Sequence, residues 1–304
     1  MTRLPPPKAI RPIDHVVLAV RDLDAAAAFY ERLGFLVGPR NRHPWGTENR
    51  IIQFPTCFIE LITVGENADI PPHRPGFFSF GAYVRDYLER CGEGIAMLAM
   101  RSPNADYDRK LFEQGEIGNF ETFRFERPAV GPDGGPSSVA FSLTFAQSDK
   151  IRDAGFFVCQ HHNPENFWHA SRQQHPNGAI GINAVIMVAK RPKPLEAFFR
   201  AFCGTPQAKP IGEGFGVGTP NGSVDIITQS VFNATFGVTG KLGGLSESPR
   251  FAALSIHSAP GPIAAHLDTI GMPYEIHGFR VVIPAKTAFG LSLVFSPSPP
   301  PKAI

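Results

Sequence analysis

The sequence predicts an α+β fold assembled from four βαβββ modules. Three observations predict it. A strand, then a helix, then further strands recur in the same order along the 304 residues. Each occurrence opens on an apolar run rich in strand formers, and the helix that follows runs out at or near a glycine. Repeated units of this kind bury their faces against one another, so the modules are expected to pair.

The first module is the clearest. IDHVVLAV (13–20) reads as a strand. In RDLDAAAAFYERLGF (21–35), Asp22 or Asp24 caps an alanine-rich helix that Gly34 stops. FLVGP (35–39) is expected as a second strand, and RIIQF (50–54) and CFIELITV (57–64) as two more, parted by Pro55-Thr56. The second module takes strand and helix from residues 94–115, then FETFRFE (120–126), SSVAFSLTFA (137–146) and GFFVCQH (155–161). The third opens at INAVIMVAKRPKPLEAFFRAFCG (182–204) and closes with GSVDIITQ (222–229). The fourth opens at RFAALSIHSAPGPIAAHLDTIG (250–271) and closes with FRVVIP (279–284) and AFGLSLVF (288–295). The domain expectation is therefore a pair of modules at 12–162, a polar linker at 163–179 and a second pair at 180–296. Residues 1–11 and 297–304, which both carry the string PPPKAI, are expected as surface tails.

Composition narrows the function. Basic and acidic residues number 29 and 27 without blocks, so no stripe exists to neutralise a phosphate backbone, and nucleic acid is disfavoured as a partner. No apolar run approaches the ~20 residues that span a bilayer, and the first residues lack a secretory core, so a cytoplasmic location away from membranes is expected. The four cysteines lie far apart with no C-x-x-C pair, and free buried thiols are expected. Phe, at 26, far outnumbers Tyr and Trp, which suits an aromatic-lined cavity.

The stretches IDHVVLAVRDLDAAAAFYERLGF and FIELI, with RHPWGTENRIIQF between them, resemble the vicinal oxygen chelate superfamily of glyoxalase I, extradiol dioxygenases and bleomycin-resistance proteins. The intervening stretch is similar to its glyoxalase-like branch. The resemblance is specific over 12–64, weaker to about 162 and faint beyond. It implies paired modules in two glyoxalase-like curved-sheet domains; in the superfamily such a sheet cups a metal and a substrate, with ligands on the first and last strands of the modules.

His15 stands on the first strand, where alternation puts Ile13, Val17 and Ala19 on its face. By itself it could be a core histidine bonded to a carbonyl. Glu60 lies mid-strand between Phe58 and Ile62, and a buried carboxylate needs a cation: a metal, or a basic residue such as Arg21 or Arg50. The resemblance implies that His15 and Glu60 ligate a divalent ion. Aligning LAMRSP (98–103) on LAVRDL (18–23) sets Ile95 opposite His15, so the second module lacks a first-strand histidine. Cys159 or His161 is then expected at the place of Glu60; His161 completes a two-histidine, one-carboxylate set, unless His161 and His162 merely begin the linker. A Cys159 nucleophile paired with His161 is a weaker alternative. His43, Trp45 and Asn49 are expected either to orient a substrate at the mouth, with Cys159 nearby, or to make ordinary loop contacts. The stretch with Trp168, His169 and His175 is expected as a surface loop. In the later modules Ala184 and Phe251 or a neighbour stand opposite His15, and Asp225 matches Glu60 but has no histidine companion. Module four ends in Leu291 and Leu293, so no metal is expected there.

The implied function is a metal-dependent enzyme that chelates adjacent oxygens of a small organic substrate, with Glu60 and His161 as catalytic residues and Fe, Mn, Zn, Ni or Co as the ion. Isomerase or lyase action, ring cleavage with oxygen and hydrolytic opening all fit. The alternatives are a non-catalytic binding or resistance protein that uses the same cup, and a structural protein that has lost the site. With four modules in one chain, a monomer or a homodimer is feasible.

Overall fold

The computed structural model describes residues 9–131, 134–237 and 248–297. Most of both proline-rich tails lies outside the described residues.

The first module contains β1 (Ile13–Ala19), α1 (Leu23–Arg32), β2 (Asn41–Arg42), β3 (Thr47–Gln53) and β4 (Phe58–Val64). A helix, α2 (Phe80–Cys91), leads to β5 (Gly94–Arg101), α3 (Ala105–Gln114), β6 (Phe123–Val130), β7 (Pro136–Ser148) and β8 (Ile151–His161). The connection holds a short helix, α4 (Pro164–Phe167). The second half repeats the plan with β9 (Gly181–Val188), α5 (Glu196–Cys203), β10 (Lys209–Ile211), β11 (Gly214–Thr219) and β12 (Gly222–Ile227). After α6 (Gln229–Phe236) come β13 (Arg250–His257), α7 (Pro260–Thr269), β14 (Glu275–His277), β15 (Arg280–Ile283) and β16 (Ser292–Ser296).

The strands form two curled eight-stranded sheets, ordered β2-β3-β4-β1-β5-β8-β7-β6 and β10-β11-β12-β9-β13-β16-β15-β14. In each module the first and last strands pair in parallel, and two modules join through their first strands, antiparallel. β1 is buried along its whole length, which explains why it is apolar except at Asp14 and His15. The chain is thus α+β, with paired curved-sheet modules.

Helices α1, α3, α5 and α7 share one large core with residues of both sheets, among them Tyr30, Phe112, Phe202, Leu267, Val16 and Leu254. The other face of each sheet carries its own smaller cluster. On the first sheet α2 contributes Phe80, Val84, Tyr87 and Leu88; on the second α6 contributes Phe232 and Phe236.

Several expectations are corrected. Residues 35–39 form no strand; Phe35 enters the intersheet core, and the second strand shrinks to Asn41–Arg42 beyond Gly38-Pro39. Helices α2 and α6 were not anticipated. Ser79 and Thr228 start them, each side-chain oxygen accepting from the backbone N–H three residues on. The segment 163–179 does join the sheets, but it is no simple surface loop. His175 is buried, its Nε2 donating to Gln53 O at 2.8 Å and its Nδ1 accepting from Leu36 N–H at 3.0 Å. Arg11, assigned to a surface tail, is buried too. It forms an ion pair with Asp108 and donates to the Ala201 and Phe202 carbonyls at the end of α5. Cys57, Cys159 and Cys203 are buried free thiols, whereas Cys91 is half-buried. No described helix is long and apolar enough to cross a membrane.

Candidate active site

A bulge in β1 builds the site. Ile13 pairs with Met100 and His15 with Ala99, which leaves Asp14 unpaired between them. The extra residue resets the alternation, so Ile13 and Val16 lie in the intersheet core while Asp14 and His15 turn to the same side. The strict period of two had put Ile13 on the face of His15. That expectation fails at this one residue, and Val17 and Ala19 do line the inner cluster as expected.

Asp14, fully buried, gathers three donors. Its Oδ2 lies 2.8 Å from His15 Nδ1 and 3.1 Å from His161 Nε2, and its Oδ1 accepts from Arg101 Nε at 2.9 Å. Burial alone would raise this carboxyl, but His161 and His15 together hold it well below the usual carboxylate range. With Nδ1 bonded to Asp14, His15 turns Nε2 to the other side. There Glu60 Oε2 lies 3.7 Å away. The His15 ring is fixed by stacking on Phe58, centroids 4.2 Å apart, and by the edge of Phe157.

Glu60 is held in turn. Asn49 Nδ2 donates to its Oε1, Asn49 also reaches His43 Nε2 at 3.3 Å, and His43 Nδ1 meets Thr47 Oγ1 at 2.8 Å. Burial raises the Glu60 carboxyl above its ordinary value, a shift that His15 and the Asn49 bond oppose. Burial, helped by the Arg127 charge, lowers His43 to about 3, so its ring is neutral at ordinary pH. Neither arginine considered from the sequence neutralises Glu60: Arg50 pairs with Asp24, and Arg21 donates to Leu88 O.

His15, His43, Asn49, Glu60, Arg127 and Cys159 line one cavity of about 480 Å³, including the part open to solvent. Phe58, Phe80, Phe125, Phe141, Phe157 and Phe167 supply most of its apolar wall. Trp45 stacks on His43 with centroids 4.5 Å apart. The cup thus brings together His15, Glu60, His43, Trp45, Asn49 and Cys159. His161 lies behind His15, on Asp14 and under Trp168, and does not line the cavity. Cys159, buried, has its thiol pushed well above the ordinary range by burial and by the nearby Asp14 and Glu60 charges.

The bulges also settle how the modules correspond. Asp14 in β1, Ala96 in β5, Asn183 in β9 and Ala252 in β13 are each skipped by the pairing. Met97 is therefore the counterpart of His15, not Ile95. Following the pairings Val17–Glu60 and Ala99–Phe157, the counterpart of Glu60 is Phe157, not Cys159 or His161. In the second sheet the pairing Ile186–Asp225 puts Asp225 at the place of Glu60 and Ala184 at that of His15, as expected. In the fourth module the corresponding residues are Ala253 and Val294.

Two sets of donors emerge. His15 Nε2 and Glu60 Oε2 face the cavity with a spacing compatible with joint ligation of one ion, whose bonds to nitrogen and oxygen run about 2.0–2.2 Å. Asp14, Cys159 and His161 form a second cluster, with one ligand atom each and all three within 4.8 Å of one another. Sequence reasoning missed Asp14, Arg101, Arg127 and Phe167. Asp14 was hidden by the alternation rule, and Arg127 by ending its strand at residue 126.

The glyoxalase-like domain family matches residues 13–203. No curated protein matches the chain in sequence. A hypothetical protein from Staphylococcus aureus is similar in structure, with a TM-score of 0.62, 12% identity and coverage of 95% of this chain and 100% of the other. A triple mutant of 4-hydroxymandelate synthase from Streptomyces coelicolor gives a TM-score of 0.59 at 12% identity, covering 94% and 92%. A xylose isomerase-like TIM barrel/4-hydroxyphenylpyruvate dioxygenase fusion protein gives 0.51 at 11% identity, covering 97% of this chain and 51% of the fusion. At such identities the likeness is one of fold. The chain belongs to the glyoxalase-like family of the vicinal oxygen chelate superfamily.

Proposed function

We propose that this glyoxalase-like chain is a metal-dependent enzyme acting on a small oxygenated organic molecule in the first cup. The observation that carries the reading is the approach of His15 Nε2 and Glu60 Oε2, 3.7 Å apart, on the wall of one aromatic cavity. Each is held from behind, His15 by Asp14 and Glu60 by Asn49. The Glu60 carboxylate is bonded by an amide and faces an imidazole, while the Arg127 charge acts on it only from beyond ion-pair distance; a divalent ion would complete its compensation. His15 and Glu60 would hold that ion; Fe, Mn, Zn, Ni and Co all accept such donors. When bound, it would polarise adjacent substrate oxygens and stabilise developing negative charge.

The chain's own residues do the rest. Asp14 fixes the His15 tautomer, His161 and Arg101 hold Asp14, and Asn49 with His43 orients Glu60. Phe167 and its neighbours exclude water and grip an apolar body. Two cavity donors from a single module fall short of the two-histidine, one-carboxylate face used by ferrous oxygenases. We therefore favour isomerase or lyase chemistry, proton movement beside a chelated oxygen, over ring cleavage. In this reading His161, expected from sequence as the third ligand, serves as a positioning residue.

A second reading, a binding cup without chemistry, is favoured by Met97 and Phe157 standing where the second module would carry ligands. Elemental analysis of protein purified without chelators separates the two. Near one equivalent of a transition metal, lost in His15→Ala and in Glu60→Ala, is expected for the enzyme. A metal-free protein that binds aromatic compounds equally well before and after metal addition would establish the binding cup instead.

A further inference from the structure

Strand β6 turns alternate residues inward: Phe123, Phe125, Arg127 and Ala129 are half-buried, while Arg124, Glu126, Pro128 and Val130 are exposed. A guanidinium thus stands in a row otherwise apolar. Burial lowers its proton affinity, which only the more distant Glu60 charge offsets. Among the described residues its single hydrogen bond is a long one, 3.4 Å from Nη1 to Pro128 O, and no carboxylate lies within ion-pair distance of it. A charge kept half-desolvated without a partner is costly, and arginine remains protonated in such settings. Nearby, the indole Nε1 of buried Trp45 also has no acceptor among the described residues. The cavity wall therefore carries a guanidinium whose bonding is largely unfilled.

Arg127 also occupies a junction. With Ile51 and Phe167 it lines both the aromatic cavity and a wider, more polar vestibule that includes Asn41, Gln53, His169 and Arg172. Arg172 adds a second positive charge to the vestibule lining. An acidic group in this vestibule meets two arginines and no carboxylate among its lining residues, while Glu60 lines only the aromatic cavity.

We propose that Arg127 anchors a carboxylate of the ligand, so that the cup takes an acid with an apolar or aromatic body and an oxygenated end directed at His15 and Glu60. The planar fork of the guanidinium suits two parallel bonds to a carboxylate, which a neutral amide cannot reproduce. This rests on the reading of the first cup as a ligand site, but the anchor itself does not require the ion.

The test is calorimetric titration of chelator-treated protein with a graded series of aryl and alkyl monocarboxylates and their primary amides. Members of the acid series are expected to bind, with the amides weaker by about 10- to 100-fold. Arg127→Met, which keeps the aliphatic stem, is expected to erase that preference, and Arg127→Lys to retain part of it. Near-ultraviolet circular dichroism checks that both variants fold. Equal affinity for acids and amides, unchanged acid binding in Arg127→Met, or failure of every acid overturns the proposal. Acid binding that appears only with added metal and is indifferent to Arg127 also overturns it, while leaving the ion site standing. Arg127-dependent binding in a His15→Ala protein that takes up no metal supports it independently of the ion.

Discussion

His15 Nδ1 lies 2.8 Å from Asp14 Oδ2, and the two residues are neighbours in sequence on the same side of one strand. Only the bulge makes that contact, since regular alternation would send them to opposite faces. A carboxylate behind an imidazole fixes its tautomer and raises its basicity as a ligand. Asp14→Asn is therefore expected to weaken metal binding by about 10- to 100-fold. Competition against a chromophoric chelator measures this, and an unchanged affinity would remove Asp14 from the site.

Glu60→Gln keeps the shape of the side chain while deleting a buried negative charge. In metal-free protein at neutral pH, the substitution is expected to leave the melting temperature unchanged or raise it by a few degrees, because a desolvation penalty disappears. The stabilisation that wild type gains on metal addition should vanish in the variant. Paired thermal melts with and without metal read both effects.

Asp225 provides a pH test remote from the first cup. Burial raises its carboxyl to about 6, a shift that its bond from Ser223 opposes. An unfolded aspartate titrates near about 3.9, so the folded protein holds this proton more tightly. Its contribution is fully present below the unfolded value and lost as pH rises through about 6. Wild type should lose on the order of 1–2 kcal/mol across that window, discounted for partial exposure. Asp225→Asn should flatten the profile there, as urea melts at a series of pH values would show.

Arg11 and Asp108 form a buried ion pair, and Ser102 Oγ donates to the same carboxylate at 2.6 Å. Removing Arg11 strands the Asp108 charge and takes a donor from two carbonyls of α5. Arg11→Met is expected to cost about 3–5 kcal/mol in denaturant unfolding. Loss of under about 1 kcal/mol would place this segment on the surface after all.

Much of the architecture was legible because its signals are local. The run IDHVVLAV, the Asp22 cap and the stop at Gly34 each report on a few adjacent residues, and their recurrence revealed four modules. Glu60 stood out for a similar reason: a carboxylate in an apolar strand needs compensation wherever the strand lies. Helix α2 was overlooked, although Ser79 and the Phe80–Leu88 apolar spacing are local, because the strand order of the modules left no slot for it.

What the chain order could not reveal was register. Whether Ile95 or Met97 faces the cup, and whether Phe157 or His161 matches Glu60, depends on a bulge at Ala96 and on which residues of β5 and β8 are hydrogen-bonded. The recurring order of apolar runs and helices determined a four-module α+β protein, and the motif in the first module determined the first imidazole and carboxylate. Tertiary structure alone decided that Asp14 and His161 stand behind His15 and that Arg127 reaches the same cavity. Those contacts join residues up to 147 positions apart. Their geometry is set by pairing and packing across the sheet, and nothing in the sequence next to either partner encodes it.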